Sequence, residues 1–124
     1  MSVATLVFDT FTEVFDSDCD TTVEKDVLGG PGVVHSLSVS NPQDTYFYLW
    51  VFDSVDPTLG TTSPVMVIRV EKNATGALNE GYCHMRIPEG EVCETALSIA
   101  GSTSSDGTGD PGTSVEVSLE AVPG

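Results

Sequence analysis

Hydrophobic and polar residues alternate along much of this chain, and a period of two is typical of β-strands. The most apolar run, residues 45–53 (TYFYLWVFD), is dense in aromatic side chains, which favour a strand. Successive side chains of a strand point to opposite faces, and here both faces are apolar: Tyr46, Tyr48, Trp50 and Phe52 on one, Phe47, Leu49 and Val51 on the other. Such a strand is either covered on both sides within its own chain or meets a second chain with its outer face.

Polar segments that contain glycine or proline separate the other alternating stretches. Further strands are predicted at residues 21–28, 33–40, 65–71, 82–87, 92–100 and 114–122. The short connection Asn41-Pro42-Gln43-Asp44 predicts that the strand before it and the aromatic strand after it form a hairpin. Turns and long polar loops are expected at residues 29–32, 53–64, 88–90 and 101–113.

A pattern of roughly seven or eight short strands without a convincing helix predicts an all-β fold. We expect a single antiparallel β-sandwich or jelly-roll-like domain with long polar loops at residues 31–124, preceded by an N-terminal strand or arm segment at residues 1–30. The predicted core consists of the inward-facing residues of the alternating stretches: Val33, Leu37, Val39, Leu49, Val51, Val65, Val67, Met85, Ile87, Leu97, Ile99, Val115, Val117 and Leu119.

Acidic residues outnumber basic ones by 19 to 4, and the formal net charge is -15. This balance argues against nucleic acid and anionic membranes as direct partners, because both require basic groups. The chain is nevertheless 40% hydrophobic and patterned, so it can fold. A folded, acidic, lysine-poor protein suits concentrated salt, where repulsion between carboxylates is screened. We therefore expect a halophilic source, with an ordinary acidic mesophilic protein as the alternative.

Targeting signals and disulfides are not apparent in the sequence. It has no apolar stretch of membrane-spanning length, and its N-terminus lacks the basic and apolar regions of a signal peptide, which predicts a cytosolic protein or one that is assembled inside a cell. An odd number of cysteines in such a chain predicts free thiols at Cys19, Cys83 and Cys93.

Motifs for metal binding are weak. Asp16, Asp18 and Asp20 resemble the start of a calcium loop. Thr21 and Val27 stand where an EF-hand requires glycine and glutamate, so these carboxylates indicate at most a weak, nonspecific cation site.

Zinc binding and catalysis are not supported by the spacing of the reactive residues. Cys83 and His84 are adjacent in a strand and point to opposite faces, which argues against a shared zinc ion that Cys93 would complete. His35 and His84 accompany no nucleophile-elbow sequence, and the glycines lack phosphate-loop spacing. We therefore expect a protein that is not an enzyme and binds no cofactor.

Several segments after residue 31 follow one another in a characteristic order: residues 34–41 (VHSLSVSN), 48–53 (YLWVFD), 57–68 (PTLGTTSPVMVI), 87–90 (IPEG), 96–100 (ALSIA), and a Gly/Ser/Thr loop before the final VEVSL strand. In this order they resemble small β-sandwich virion proteins of tailed viruses, of the head decoration, head fibre or minor structural type. The resemblance covers about residues 32–122 and implies no catalytic residues. Together with the acidity it implies a structural protein of a tailed virus that infects a halophilic archaeon.

The function implied is that of a capsid decoration protein or a minor capsid or head-associated component that stabilises the particle. The alternative is a tail or fibre module that binds a receptor or carbohydrate through loops 53–64 and 101–113. The expected partners are the chain itself, as a homo-oligomer with a trimer favoured, and the major capsid or other virion proteins. The candidate interface residues are aromatic: Tyr46, Tyr48, Trp50, Phe52, Phe8, Phe11 and Phe15.

Overall fold

A computed structural model describes residues 11–73, 75 and 80–124. Its strands in chain order are β1 (Thr12–Asp16), β2 (Gly32–Ser40), β3 (Phe47–Asp53), β4 (Met66–Val70), β5 (Tyr82–Cys93), β6 (Leu97–Ser102) and β7 (Glu116–Pro123). They form a four-stranded sheet in the order β1-β7-β2-β5 and a three-stranded sheet in the order β4-β3-β6. Every neighbouring pair of strands is antiparallel. The predicted all-β sandwich is confirmed.

Helices play no part in the architecture of the described residues. Accordingly, within those residues we find no helix with the length and apolar character needed to cross a membrane.

The core lies between the two sheets and is filled by alternate residues of their facing sides. Leu37, Leu49, Leu97, Ile99 and Leu119 are its largest aliphatic side chains and are almost completely buried. The predicted alternation is confirmed in β7, where Val117 and Leu119 point inward and Glu116 and Glu120 outward. It is confirmed in the first half of β5 as well, where Met85 and Ile87 pack against the core from partly buried positions.

The assignment of Val33 to the core is wrong, because a β-bulge changes the phase of β2. Val34 pairs with Ala121 and Ser36 with Glu120, so His35 is an extra residue relative to β7. Val34 is therefore fully buried, whereas Val33 is half-buried. The alternation predicted from the sequence holds only after the bulge.

The assignment of Val65 and Val67 to the core is also wrong. Ile68 pairs with Leu49 across the sheet, and paired residues point to the same side. Because Leu49 points inward, Ile68 does too, and Val67 is left 42% exposed. Arg69 and Glu71 alternate on the same face as Val67, so the sequence carried a signal for the outward direction of that face that the prediction missed.

The predicted hairpin between β2 and β3 does not form, because these strands belong to different sheets. The connection passes from one sheet to the other and is anchored by the buried side chain of Asn41. Its amide nitrogen donates to the carbonyl oxygen of Thr45 at 3.0 Å and to that of Glu71 at 3.1 Å.

The turn predicted at residues 88–90 lies inside β5, which continues to Cys93. On β2, Val34 pairs with Glu91 and Ser36 with Arg86, so the intervening residues of β5 bulge out of the ladder. Gly90 has a φ of 80° there, and a Cβ atom would collide with Val33. The reversal into β6 occurs after Cys93 instead.

Residues 21–28 do not form the predicted strand but follow the outer edge of β6. The backbone of Glu24 exchanges two hydrogen bonds with that of Ile99, and the N–H of Val27 donates to the carbonyl of Leu97. This segment supplies hydrogen-bond partners to backbone groups on the outer edge of β6. Since β1 pairs with β7 as well, the described residues before 31 pack on the sandwich, and the division of the chain after residue 30 stays a prediction.

The outer face of β3 is covered within the chain near its end. Phe52 is fully buried and Trp50 is only 7% exposed. They form a hydrophobic cluster with Ala100, against which the partly buried Val23 and Leu59 pack. The loop predicted at 101–113 begins later, because Ser102 is a buried residue of β6 and accepts a hydrogen bond from the indole N–H of Trp50 at 3.0 Å.

Candidate functional site

The outer face of the four-stranded sheet is the surface formed by the side chains of β1, β7, β2 and β5 that point away from the core. The strand registers arrange them in rows that run across the sheet. We name these rows, each from β1 to β5, the charged row (Glu13, Glu120, Ser36, Arg86) and the central row (Phe15, Ser118, Ser38, His84). A third row contains Glu116, Ser40 and Tyr82.

Large apolar side chains are unusually exposed on this face. Phe15 is 59% exposed, Tyr82 57%, Phe11 53% and Val92 51%. Phe11 and Phe15 lie on the β1 side, whereas Tyr82 and Val92 belong to β5 at the opposite edge. Exposed apolar patches on small soluble domains mark contact surfaces, so this face is the candidate functional site.

Most polar groups of the face are paired with one another. The Ser118 hydroxyl donates to Glu13, and the Ser36 hydroxyl donates to Glu120, each at 2.8 Å. Ser38 Oγ and His84 Nδ1 share a hydrogen bond at 2.8 Å. These bonds fix the rotamers of the central side chains and pre-form the surface.

Arg86 differs from its neighbours on the face. Within the described part of the chain, the ion pairs are Lys25–Asp56 and Arg69–Glu71, and Arg86 takes part in neither. Its guanidinium therefore presents a full set of N–H donors to an incoming carboxylate.

Two shallow depressions shape the face. One, of about 140 Å³, is lined by Phe11, His35, Ser36, His84, Arg86 and Glu120. Phe11 meets the ring of His35 edge to face, with their centroids 5.6 Å apart. The other, of about 130 Å³, lies between Phe15 and Tyr82 over a floor of serines. We call them the polar cleft and the serine groove.

A serine hydrogen-bonded to a histidine is one part of a hydrolase site, and Ser38–His84 has that spacing. A triad also needs a carboxylate that orients the imidazole. No hydrogen bond between described residues joins His84 to a carboxylate, so the geometry does not extend beyond the pair.

The remaining interface candidates are spread over different parts of the molecule. Tyr46 and Tyr48 are half-buried at the start of β3, and the guanidinium of Arg69 lies 4.6 Å from the Tyr46 ring centroid. Trp50 and Phe52 are buried within the chain, which agrees with the alternative that this strand is covered on both sides by its own chain. Phe8 lies outside the described residues.

Two of the three aspartates of the candidate cation site, Asp16 and Asp20, use their carboxylates in local turns. Asp16 accepts from the N–H of Asp18 at 3.0 Å, and Asp20 accepts from the N–H of Thr22 at 2.9 Å. The second carboxylate oxygen of Asp16 is buried beside the Cys19 thiol. In the described residues, no group of three His, Cys, Asp or Glu side chains has the geometry to hold a metal ion.

All three cysteines are described, and all are free thiols, as predicted. Burial raises the pKa of the Cys19 thiol, and the negative charges of Asp16, Asp20 and Glu24 raise it further. Burial, followed by the charges of Asp53 and Glu91, raises the pKa of Cys93 to about 11. Neither thiol has the low pKa of a reactive cysteine.

Sequence reasoning included Phe11 and Phe15 among the interface residues and missed Tyr82, Arg86 and Val92. The alternation placed Tyr82 and Arg86 on an outward face, which was the available signal. That this face lies opposite the phenylalanines depends on the strand order, which places β1 and β5 at the two edges of one sheet.

Comparisons with known proteins give little further information. No protein-family model and no curated protein matches the chain. A chain of the X-ray crystal structure of tomato aspermy virus aligns with 98% of this chain and 81% of its own length, at 12% sequence identity and a TM-score of 0.48. A likeness of this degree establishes neither a common fold nor a common function.

Proposed function

We propose that this protein is a non-enzymatic structural component of a virion, acting as a capsid decoration protein or a minor capsid or head-associated component that stabilises the particle. The observation that carries the proposal is the outer face of the four-stranded sheet, with Phe11, Phe15 and Tyr82 each more than half exposed. A small domain gains nothing in its own stability from such exposure, whereas a contact with another protein removes this surface from water.

The negative charge of the chain limits the classes of partner that it can bind. With 19 acidic and 4 basic residues, it binds neither nucleic acid nor anionic membranes. Its partners are copies of itself and the major capsid or other virion proteins. The acidic surface keeps the assembled particle solvated in concentrated salt, which fits a tailed virus of a halophilic archaeon assembled in the host cytoplasm.

Purified particles provide the first test. Quantitative mass spectrometry is expected to find this chain at a copy number comparable with that of the capsid shell. Its absence from purified particles would refute the virion role.

Rebinding to particles stripped of the protein tests the surface. The double substitution Phe15→Ser and Tyr82→Ser is expected to reduce occupancy at least about tenfold, which corresponds to roughly 1.4 kcal/mol or more of lost contact energy. Val55→Ser is the matched control, because Val55 is 53% exposed but lies in the loop between β3 and β4. Equal occupancy of the double variant and the control would refute this surface as the contact.

A tail or fibre module that binds a receptor or carbohydrate is the second candidate. The polar cleft favours it, since an apolar wall at Phe11 stands beside donors at Arg86 and an acceptor at Glu120. Sugar hydroxyls use both donors and acceptors. A copy number of only a few chains per particle, with the protein located on the tail, would favour this candidate over the first.

A further inference from the structure

The two halves of the outer face differ in their chemistry. The half formed by β1 and β7 carries the carboxylates Glu13, Glu116 and Glu120. The half formed by β2 and β5 carries hydroxyls and basic groups at Ser36, Ser38, Ser40, Tyr82, His84 and Arg86. Ser36 and Ser38 already form hydrogen bonds within the chain, so the group of this half that differs most from the carboxylates opposite is the guanidinium of Arg86.

This asymmetry makes the face complementary to itself. The two-fold axis of such a pair lies in the plane of contact, parallel to the strands and midway between β7 and β2. A half-turn about it places β1 of one copy over β5 of the other, and β7 over β2. Each row then meets the same row in reversed order, as an isologous two-fold contact requires.

In the charged row, this operation places Glu13 of one copy opposite Arg86 of the other, and the reverse pair forms at the opposite edge. Glu120 lies opposite Ser36 of the second copy in the middle of the same row, where each Ser36 hydroxyl already donates to Glu120 of its own chain. Arg86, which has no ion-pair partner among the described residues, thereby acquires one. Opposite charges across a contact fix its register and exclude incorrect partners.

In the central row, Phe15 of one copy meets His84 of the other, which buries a phenyl ring that is 59% exposed in the single chain. Val92 lies on the β5 edge at the bulged end of the sheet, and the Phe11 ring packs against His35 on the same face. The middle of the row is Ser118 and Ser38, whose small side chains allow sheets to approach to about 10 Å. Strands in such aligned packing cross at about 30°.

We propose that a second copy of this chain binds face to face on the four-stranded sheet, through a two-fold contact that pairs Glu13 of each copy with Arg86 of the other. The inference rests on the proposed self-association within a virion and specifies its symmetry. It differs from the three-fold arrangement expected from the sequence, which stays a prediction, because a three-fold ring does not use this self-complementarity.

Charge exchange between two variants tests the contact. Light scattering coupled to size-exclusion chromatography, at the lowest salt concentration that keeps the protein folded, is expected to give twice the chain mass for the natural sequence. Glu13→Arg places two arginines together, and Arg86→Glu places two glutamates together. Each single variant is expected to raise the dissociation constant of the pair at least about tenfold.

A mixture of the two variants in equal amounts is expected to form a heterodimer with the affinity of the natural pair, because both contacts then join arginine to glutamate. Recovery in the mixture also shows that each variant is folded. A closed ring of three copies cannot alternate two variants, so such a ring would not be restored.

The matched controls are Glu71→Arg and Arg69→Glu, which change the net charge by the same amounts. Both residues are exposed, and they are paired with each other at the end of β4, away from the outer face. These controls are expected to keep the natural affinity. A monomeric natural protein, a three-fold mass, or a mixture that fails to pair would each overturn the inference.

Particle binding, measured on the same preparations, separates this inference from the proposed function. A protein that binds particles only as a monomer contradicts the two-fold contact and retains the virion role. A stable dimer that is absent from particles retains the contact and contradicts the virion role.

Discussion

The carboxylate of Asp53 accepts a hydrogen bond from the backbone N–H of Thr95 at 2.8 Å, which joins the end of β3 to the turn between β5 and β6. The same carboxylate accepts from the N–H groups of Glu94 at 3.0 Å and Ala96 at 3.1 Å. Since β5 and β6 belong to different sheets, this one side chain holds the crossing between them. Partial burial acts to raise the pKa of Asp53, but the three N–H donors together lower it by more.

Replacing Asp53 with asparagine is expected to lower the free energy of unfolding by about 1 to 2 kcal/mol at neutral pH, because hydrogen bonds to a charged acceptor are lost. The folded-state pKa lies below that of the unfolded chain, so the stabilisation is fully present above about pH 4 and disappears as the pH falls through the folded-state pKa. Urea unfolding of both proteins from pH 7 to pH 2 measures this difference.

The control for this experiment is Asp44→Asn, a substitution of the same chemistry at an exposed residue between β2 and β3. It is expected to change stability by less than about 0.5 kcal/mol. A difference between natural and Asp53→Asn proteins that stays constant down to pH 2 would show that the charge of Asp53 is not what matters.

Truncating Leu49 to alanine is expected to cost about 2 to 5 kcal/mol, because Leu49 is fully buried on the inner face of β3 and leaves a cavity. Val67→Ala, on the neighbouring strand but facing outward at 42% exposure, is expected to cost less than about 1 kcal/mol. Chemical denaturation of both variants compares them. Equal losses would mean that β4 has the opposite phase.

One cysteine, Cys83, is expected to react faster with thiol reagents than the other two. Cys83 is partly buried, whereas Cys19 and Cys93 are buried and their pKa values are raised, so they form little of the reactive thiolate. Titration with a disulfide reagent at pH 8 should modify Cys83 first and the other two only after denaturation. Cys83→Ser should abolish the fast reaction, and a second fast thiol in that variant would contradict the burial pattern.

Stability is expected to rise with salt, since a net charge of -15 repels itself in the compact state and added ions screen this repulsion. The thermal midpoint, followed by circular dichroism, should increase between roughly 0.1 and 3 M salt. Potassium chloride and sodium chloride should act alike if screening dominates. A midpoint that stays flat or falls would refute the halophilic interpretation.

The sequence by itself determined the fold class and most of the strands. Alternation of residues such as Val117 and Leu119 with Glu116 and Glu120 requires one buried and one solvated face, and that requirement is local. Phe11 and Phe15 were named as interface candidates from the sequence, although their spacing did not indicate a strand.

Only the tertiary structure decided which strands pair and which faces are covered. Leu49 determines the phase of Ile68 across the sheet, and the bulge at His35 moves Val33 out of the core. The bulge leaves no mark in the local pattern, because Val33 and Val34 are both apolar, whereas Arg69 on the outward face of β4 was a local signal for its phase. The meeting of Glu13 and Arg86 in one row, from opposite edges of a sheet, likewise depends on long-range pairing, which the order of residues along the chain does not encode locally.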